Sequence, residues 1–370
     1  MLSRRTFFKT AGLGAAVAAV SARFPSELLW SEPSRVPQPG GPILLNANEN
    51  AYGPFPSVLA LGNPFLEVNR YPDHHNEILV ERLAALYKVG TDQVLTGCGS
   101  TEVLRMAATA FTGPGRKLVT ALPTFEAPWA YSNVAHAEIV RVPLAPDFSH
   151  DLHAMLKATG PDTGLVYICN PNNPTASLTP RSDLEAFIAK LPKNTHVLID
   201  EAYHDFVGTN PDYVSFLDRP VNDRRIIVTR TFSKIYALAG MRCGYAVASK
   251  EAAKQMGQFG ILESLNVLVA RCALVSLDDA AAHQQAQQRN AADRDEFMRQ
   301  ATARKLHVIP SSANFIMFDA GHPVKKVIEH FQKNNILIGR PFPPMDTYAR
   351  ISLSKTDDMK EFWRVWDLLG

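Results

Sequence analysis

The chain has 370 residues, 46% of them hydrophobic and 20% charged, with a formal net charge of +2. That length is too great for one simple core and suits one large domain plus a smaller one. The near balance of charge, without a basic block or a polar low-complexity tract, argues against a nucleic-acid partner and against extensive disorder. Beyond residue 30 there is no internal repeat and no apolar run long enough to span a bilayer, so no stable membrane anchor is expected.

The first thirty residues read differently. Arg4 and Arg5 are adjacent, Phe7 and Lys9 follow, and a short Ala/Gly/Val stretch runs from Ala11 to Val20. Gly12 and Gly14 make this a poor core helix, and "VSA" at 20–22 has the small residues of a cleavage site. The order Ser-Arg-Arg-x-Phe-x-Lys resembles a twin-arginine export signal. It implies a translocase partner, export in the folded state and a periplasmic or other extracytoplasmic location; an inefficient leader would leave the protein in the cytoplasm. Cleavage after Ala22 removes three cations and no acid, leaving a nearly neutral chain. The expected organisation is a signal over 1–22, a Pro/Gly-rich linker and arm over 23–60, a large domain over 61–264 and a small one over 265–370.

From residue 76 the pattern alternates. "NEILVERLAALYKV" predicts a helix with Ile78, Leu79, Leu83, Leu86 and Tyr87 on its buried stripe. Seven short apolar runs follow, bounded by turns: "QVLTGCG", "KLVTALP", "EIVRVPL", "GLVYICNP", "HVLIDEAY", "RIIVTRT" and "CGYAVAS". Separated by helical or looping segments, they predict an α/β fold, a largely parallel sheet with helices on both faces. Such sheets bind ligands at the carboxyl ends of their strands. After residue 249 the chain reads as helical to about 305, then as strands around "HVIPSSANFIMFDA", "ILIGR" and "YARISLS", with a helix over 323–334 between them. The four cysteines, Cys98, Cys169, Cys243 and Cys272, form no CxxC pair, so neither a zinc site nor a redox motif is visible. Cys169 and Cys243 read as small buried residues.

Four features fall at strand ends. "GCGSTEVL" is a glycine-rich turn opening a helix, and the free amides of Ser100 and Thr101 would make an anion site. "CNPNNPTAS" places Asn173 before a proline. "LIDEAYHDF" puts Asp200 at the end of an apolar strand, with Tyr203 three residues on; a carboxylate buried there needs a cationic or protonated partner. "TRTFSKIYALAGMRCGY" puts Lys234 in a mostly apolar run, where a desolvated amine has a depressed pKa and becomes a nucleophile. Taken singly, each has an ordinary structural explanation: a βα turn, turn chemistry, a helix N-cap, a snorkelling lysine. Pyridoxal 5'-phosphate unites them. Lys234 supplies the Schiff-base amine and Asp200 the acid that holds the pyridine nitrogen protonated. Asn173 and Tyr203 supply donors to the phenolic oxygen. The amides of Ser100 and Thr101, the hydroxyls of Thr231 and Ser233 and the fork of Arg242 supply the phosphate site. Phe125, in "LPTFEAPW", would stack on the ring.

From "LNANENAYGP" (Leu45 to Pro54) to its end, the chain resembles the fold-type-I pyridoxal-phosphate aminotransferases, and within them the histidinol-phosphate aminotransferase family. "NRYPD", "PNNPT", "DEAY", "TFSK", "ALAGMRCGY" and "LESLNVL" carry the likeness, in the family's order and spacing. The resemblance implies ping-pong transfer of an amino group to a 2-oxo acid such as 2-oxoglutarate. In it Lys234 moves a proton from the substrate Cα to the cofactor's C4′. It also implies a homodimer with shared sites, in which Tyr71 reaches the neighbouring subunit's cofactor phosphate. Arg350 would grip a substrate carboxylate, Arg340 a second anionic group, and Tyr52 and Asn48 on the N-terminal arm would line the pocket. Two positions depart from the family's usual pattern: Ala176 where it writes glycine and Ala51 where it writes proline. A pyridoxal-phosphate decarboxylase or oxidase needs the same electron sink and stays open as an alternative. A secreted binding protein on a retired scaffold predicts damaged cofactor motifs, and these are intact.

Overall fold

In the computed structural model, residues 41–63 and 67–369 are described; the twin-arginine-like leader, its cleavage site and most of the linker lie outside them. Each of the seven apolar runs forms a strand: β1 (Val94–Cys98), β2 (Lys117–Leu122), β3 (Ile139–Pro143), β4 (Thr163–Cys169), β5 (His196–Asp200), β6 (Ile226–Thr231) and β7 (Cys243–Val247). They join in one sheet in the order β1-β7-β6-β5-β4-β2-β3. The pairs β3–β2, β2–β4, β4–β5 and β5–β6 are parallel. Only β7 runs against its neighbours, β1 and β6. Strands β4, β6 and β7 are buried along their whole length, which is why they read as unbroken apolar runs rather than alternating ones.

The period of two sorts side chains between two cores. Val166, Ile168, Val197 and Ile199 face one, with Leu79, Leu83, Leu184, Phe187 and Val269 from covering helices. Leu165, Tyr167, Cys169 and Leu198 face the other, under Val103, Leu104, Phe111 and Met256. The predicted first helix spans Asp73–Tyr87. Leu79 and Leu83 are fully buried as expected, but Leu86 is 46% exposed and leaves the predicted stripe. At about 100° per residue, Leu79, Leu83, Tyr87, Val80 and Ala84 define one face, and Leu86 lies roughly a quarter turn off its centre.

The C-terminal segment builds a three-stranded antiparallel sheet in which Phe315–Asp319 lies between Tyr348–Ser352 and His307–Ile309. Helices Val324–Lys333 and Thr356–Trp366 meet through Phe331 and Phe362, stacked with centroids 4.9 Å apart. This sheet matters to the site because it carries Arg350, paired in register with Met317. All four cysteines are free thiols; Cys169, Cys243 and Cys272 are buried.

Candidate active site

Strands β4, β5 and β6 end in register: Cys169 lies beside Asp200, and Asp200 beside Thr229. The loops that leave these ends therefore open on one crevice, a cavity of about 330 Å³. Ser100, Thr101, Phe125, Asn173, Asp200, Tyr203, Thr231, Ser233, Lys234 and Arg242 all line it, as do Asn48, Arg340 and Arg350. Four of these are cations, against two acids, Glu49 and Asp200, so the cavity favours an anionic occupant.

Lys234 follows the end of β6 by three residues. Its Nζ donates to the carbonyls of Asn48 at 3.1 Å and Ala47 at 3.4 Å, and lies 5.5 Å from the Tyr203 ring centroid. Burial, reinforced by the positive charges of Arg350 and Arg242, brings its pKa down to about 8. Asp200 is 2% exposed. Its Oδ2 accepts from the Tyr167 hydroxyl at 3.0 Å and its Oδ1 from the Ala202 amide at 3.2 Å. Burial outweighs those donors and raises its pKa to about 6. A cationic N–H arriving in the cavity would relieve that penalty.

Tyr203 packs edge-on against Phe315, and its hydroxyl accepts from Asn48 Nδ2 at 3.2 Å. Asn173 accepts from Arg350 through Oδ1 at 2.6 Å, which leaves its amide nitrogen as the cavity-facing donor. Arg350 is 7% exposed, donates from Nη2 to the Asn46 carbonyl at 2.7 Å, and stands over Phe342 at 4.6 Å. Its buried Nε has no partner among the described residues. Burial lowers its pKa to about 10.

The anion cradle is made by backbone. Helix Ser100–Phe111 starts at Gly99, whose φ of +74 suits glycine. First-turn amides have no intrahelical partner. The Arg242 guanidinium lies against Gly99 and donates to Ser233 Oγ at 3.2 Å, while Thr231 Oγ1 donates to Ser233 Oγ at 3.0 Å. Gly244 on β7 lies so close that a Cβ there would meet the Ser100 nitrogen at 2.1 Å. The loop after β4 carries Ala176 at φ +58, completely buried, in the left-handed region that explains the family's usual glycine.

One predicted residue stands elsewhere. Tyr52 turns to the long helix Ala280–Ala303: its hydroxyl donates to Asp293 at 3.0 Å, and Arg289 stacks on its ring. Tyr71, expected at a neighbouring subunit's site, is 76% exposed and does not line this chain's own cavity. Arg340 does line the cavity, but it is ion-paired with Glu126. Sequence reasoning missed Glu126, Phe342, Gly244 and Tyr167. Only Tyr167 left a signal: a hydroxyl two residues before Cys169, on the same strand face in a fully buried run, must find a partner, and Asp200 is that partner.

This donor set fits pyridoxal phosphate. A nucleophilic amine with a lowered pKa, a buried acid that forms no ion pair among the described residues and an amide-and-arginine cradle for a dianion converge on one space. The chain matches the family model described as aminotransferase class I and II over residues 41–364. It is 32% identical to the histidinol-phosphate aminotransferase of Shouchella clausii (strain KSM-K16) over 299 residues, 80% of each chain. It is 35% identical to the aromatic amino acid aminotransferase of Rhodococcus erythropolis (strain PR4 / NBRC 100887) over 301 residues, 80% of this chain and 83% of that one. The crystal structure of histidinol-phosphate aminotransferase from Sinorhizobium meliloti in complex with pyridoxal-5'-phosphate superimposes with a TM-score of 0.82 at 26% identity, covering 89% and 92% of the two chains. A pyridoxal-phosphate-dependent transaminase of fold type I, similar to histidinol-phosphate aminotransferases, the chain belongs to the class I and II aminotransferase family.

Proposed function

We propose that this transaminase acts on an amino donor bearing a carboxylate, other than histidinol phosphate, in an extracytoplasmic compartment. The observation that carries the substrate reading is Arg350: a buried guanidinium that lines the cavity together with the reactive Lys234. A carboxylate would meet the cavity-facing edge of that fork. Bound pyridoxal phosphate supplies the electron sink for the charge left when the donor's Cα loses its proton. Lys234 Nζ would take that proton as base and release it as acid at the cofactor's C4′ rather than at Cα, and a pKa near neutrality suits both roles. Asp200 keeps the ring nitrogen's proton in place, and Asn173 and Tyr203 orient the ring.

The location rests on Arg4, Arg5, Phe7 and the short apolar stretch that follows. Phosphorylated intermediates of histidine synthesis are cytoplasmic, so an exported enzyme would rarely meet one. A homodimer is part of the same proposal. Tyr71 and the apolar pair Ile261 and Leu262, which are 64% and 91% exposed, would gain cover from a second copy.

Three experiments test this. Purified Lys234→Ala mixed with pyridoxal phosphate loses the absorbance band of the lysine-linked cofactor; a band identical to wild type would refute the role of Lys234. Half-reactions over the common amino acids then name the donor. Cell fractionation with and without Arg4→Lys plus Arg5→Lys reads export. A cytoplasmic protein that retains residues 1–22 and strongly prefers histidinol phosphate would sink the proposal.

A further inference from the structure

Phe342 carries two guanidinium groups. The Arg340 carbon stands 4.4 Å from its ring centroid and the Arg350 carbon 4.6 Å. Such closeness has an electrostatic cost: the charge of Arg340 lowers the pKa of Arg350, while that of Glu126 raises it. Glu126 is thus a built-in counter-ion. Its Oε2 accepts from Nη2 of Arg340, from a loop 214 residues away in sequence. Side-chain exposure is 42% for Arg340 and 26% for Glu126, so the pair is partly buried, and Arg340 itself lines the cavity.

A substrate whose first carboxylate is held by Arg350 brings any second anion toward Arg340. That anion must displace Glu126 or sit against its negative charge. A donor with an uncharged side chain meets neither cost, and Phe342 offers it apolar surface. We infer that Glu126 is a specificity-determining residue: by neutralising Arg340 it sets the site for substrates with a single anionic group and turns away those with a second. The inference rests on reading Arg350 as the carboxylate-binding residue of the transaminase site.

The test is binding to the pyridoxal-phosphate-loaded protein, read by calorimetry. The probes are 3-phenylpropanoate, with one carboxylate, and glutarate, with two. Wild type is expected to bind 3-phenylpropanoate at least tenfold more tightly. Glu126→Gln shifts that ratio toward glutarate by about tenfold or more, equivalent to about 1.4 kcal/mol. Adding Arg340→Ala to Glu126→Gln removes the gain, which assigns it to the released guanidinium. Equal or tighter binding of glutarate to wild type overturns the inference. So does a ratio that Glu126→Gln leaves unchanged, or failure of both probes to bind. Because the readout is binding, an absence of amino transfer from every donor would sink the transaminase reading and still leave this ratio to be judged.

Discussion

Arg350 donates from Nη1 to Oδ1 of Asn173 at 2.6 Å, so the residue that would hold the substrate also fixes an amide that would hold the cofactor. Loss of the fork should therefore separate from loss of charge. Arg350→Lys keeps the charge, but an ammonium cannot reach Asn173, the Asn46 carbonyl and a carboxylate together. The kcat/KM for carboxylate donors should fall about 100-fold, the size of one or two charge-assisted hydrogen bonds. The fall should come mostly through KM, with the cofactor still bound. A change under about threefold would remove Arg350 from the substrate site.

The amine of Lys234 should titrate near pH 8 rather than 10.5, because burial and two neighbouring arginines disfavour its charge. Uptake of pyridoxal phosphate by the apoprotein should rise about tenfold per pH unit below 8 and level off above it. The sign for stability follows from the same depression. The folded pKa lies below the unfolded one, so the penalty is full below pH 8 and disappears as pH rises to 10.5. Uptake that keeps rising to pH 10 would show an unperturbed lysine.

Asp200→Asn should stabilise the apoprotein while disabling the enzyme. With the folded pKa raised from 3.8 to about 6, the carboxylate favours the fold only while protonated. That contribution is full below pH 3.8 and lost as pH rises through 6. At neutral pH the deficit is about 3 kcal/mol at 1.36 kcal/mol per unit. The amide removes the charge, keeps one oxygen to accept from the Ala202 amide, and turns its NH2 to donate to the Tyr167 hydroxyl. Denaturant unfolding of the apoprotein at pH 5 and 7.5 reads the effect: wild type should be weaker at 7.5, and Asp200→Asn should lose that difference. Its turnover should drop roughly 100- to 10,000-fold, since it cannot hold a ring-nitrogen proton as an anion can.

Gly244→Ala tests the anion cradle through backbone alone. The added Cβ would meet the Ser100 nitrogen at 2.1 Å, its Cα at 2.6 Å and the Gly99 carbonyl carbon at 2.7 Å, and no side chain can swing aside there. The turn carrying the Ser100 and Thr101 amides must move. The dissociation constant for pyridoxal phosphate should rise at least about tenfold, with about 1–3 kcal/mol of stability lost to overpacking. Cofactor titration together with a melting curve measures both. Unchanged cofactor affinity would place the phosphate elsewhere.

What the sequence determined was local. Seven apolar runs became seven strands, and three of them, β4, β6 and β7, read as unbroken because they are buried along their whole length. Their chemical residues gathered at the carboxyl ends because parallel strands in register deliver consecutive loops to the same edge. The leftover questions were all about partners distant in the chain. Tyr52 was expected at the substrate, yet it bonds Asp293, 241 residues on, because the arm packs its ring against a helix that periodicity cannot place. Tyr167 drew no reading of its own, and the sheet brought Asp200 on β5 beside its strand. Arg340 was the candidate for a substrate's second anionic group, and its charge is already met by Glu126. Charge pairing and side-chain direction depend on how separate elements are brought together, and no spacing along one chain encodes that. The residue classes that bind the cofactor are therefore legible in the sequence, while the balance of charge that selects the substrate is set only by the packed fold.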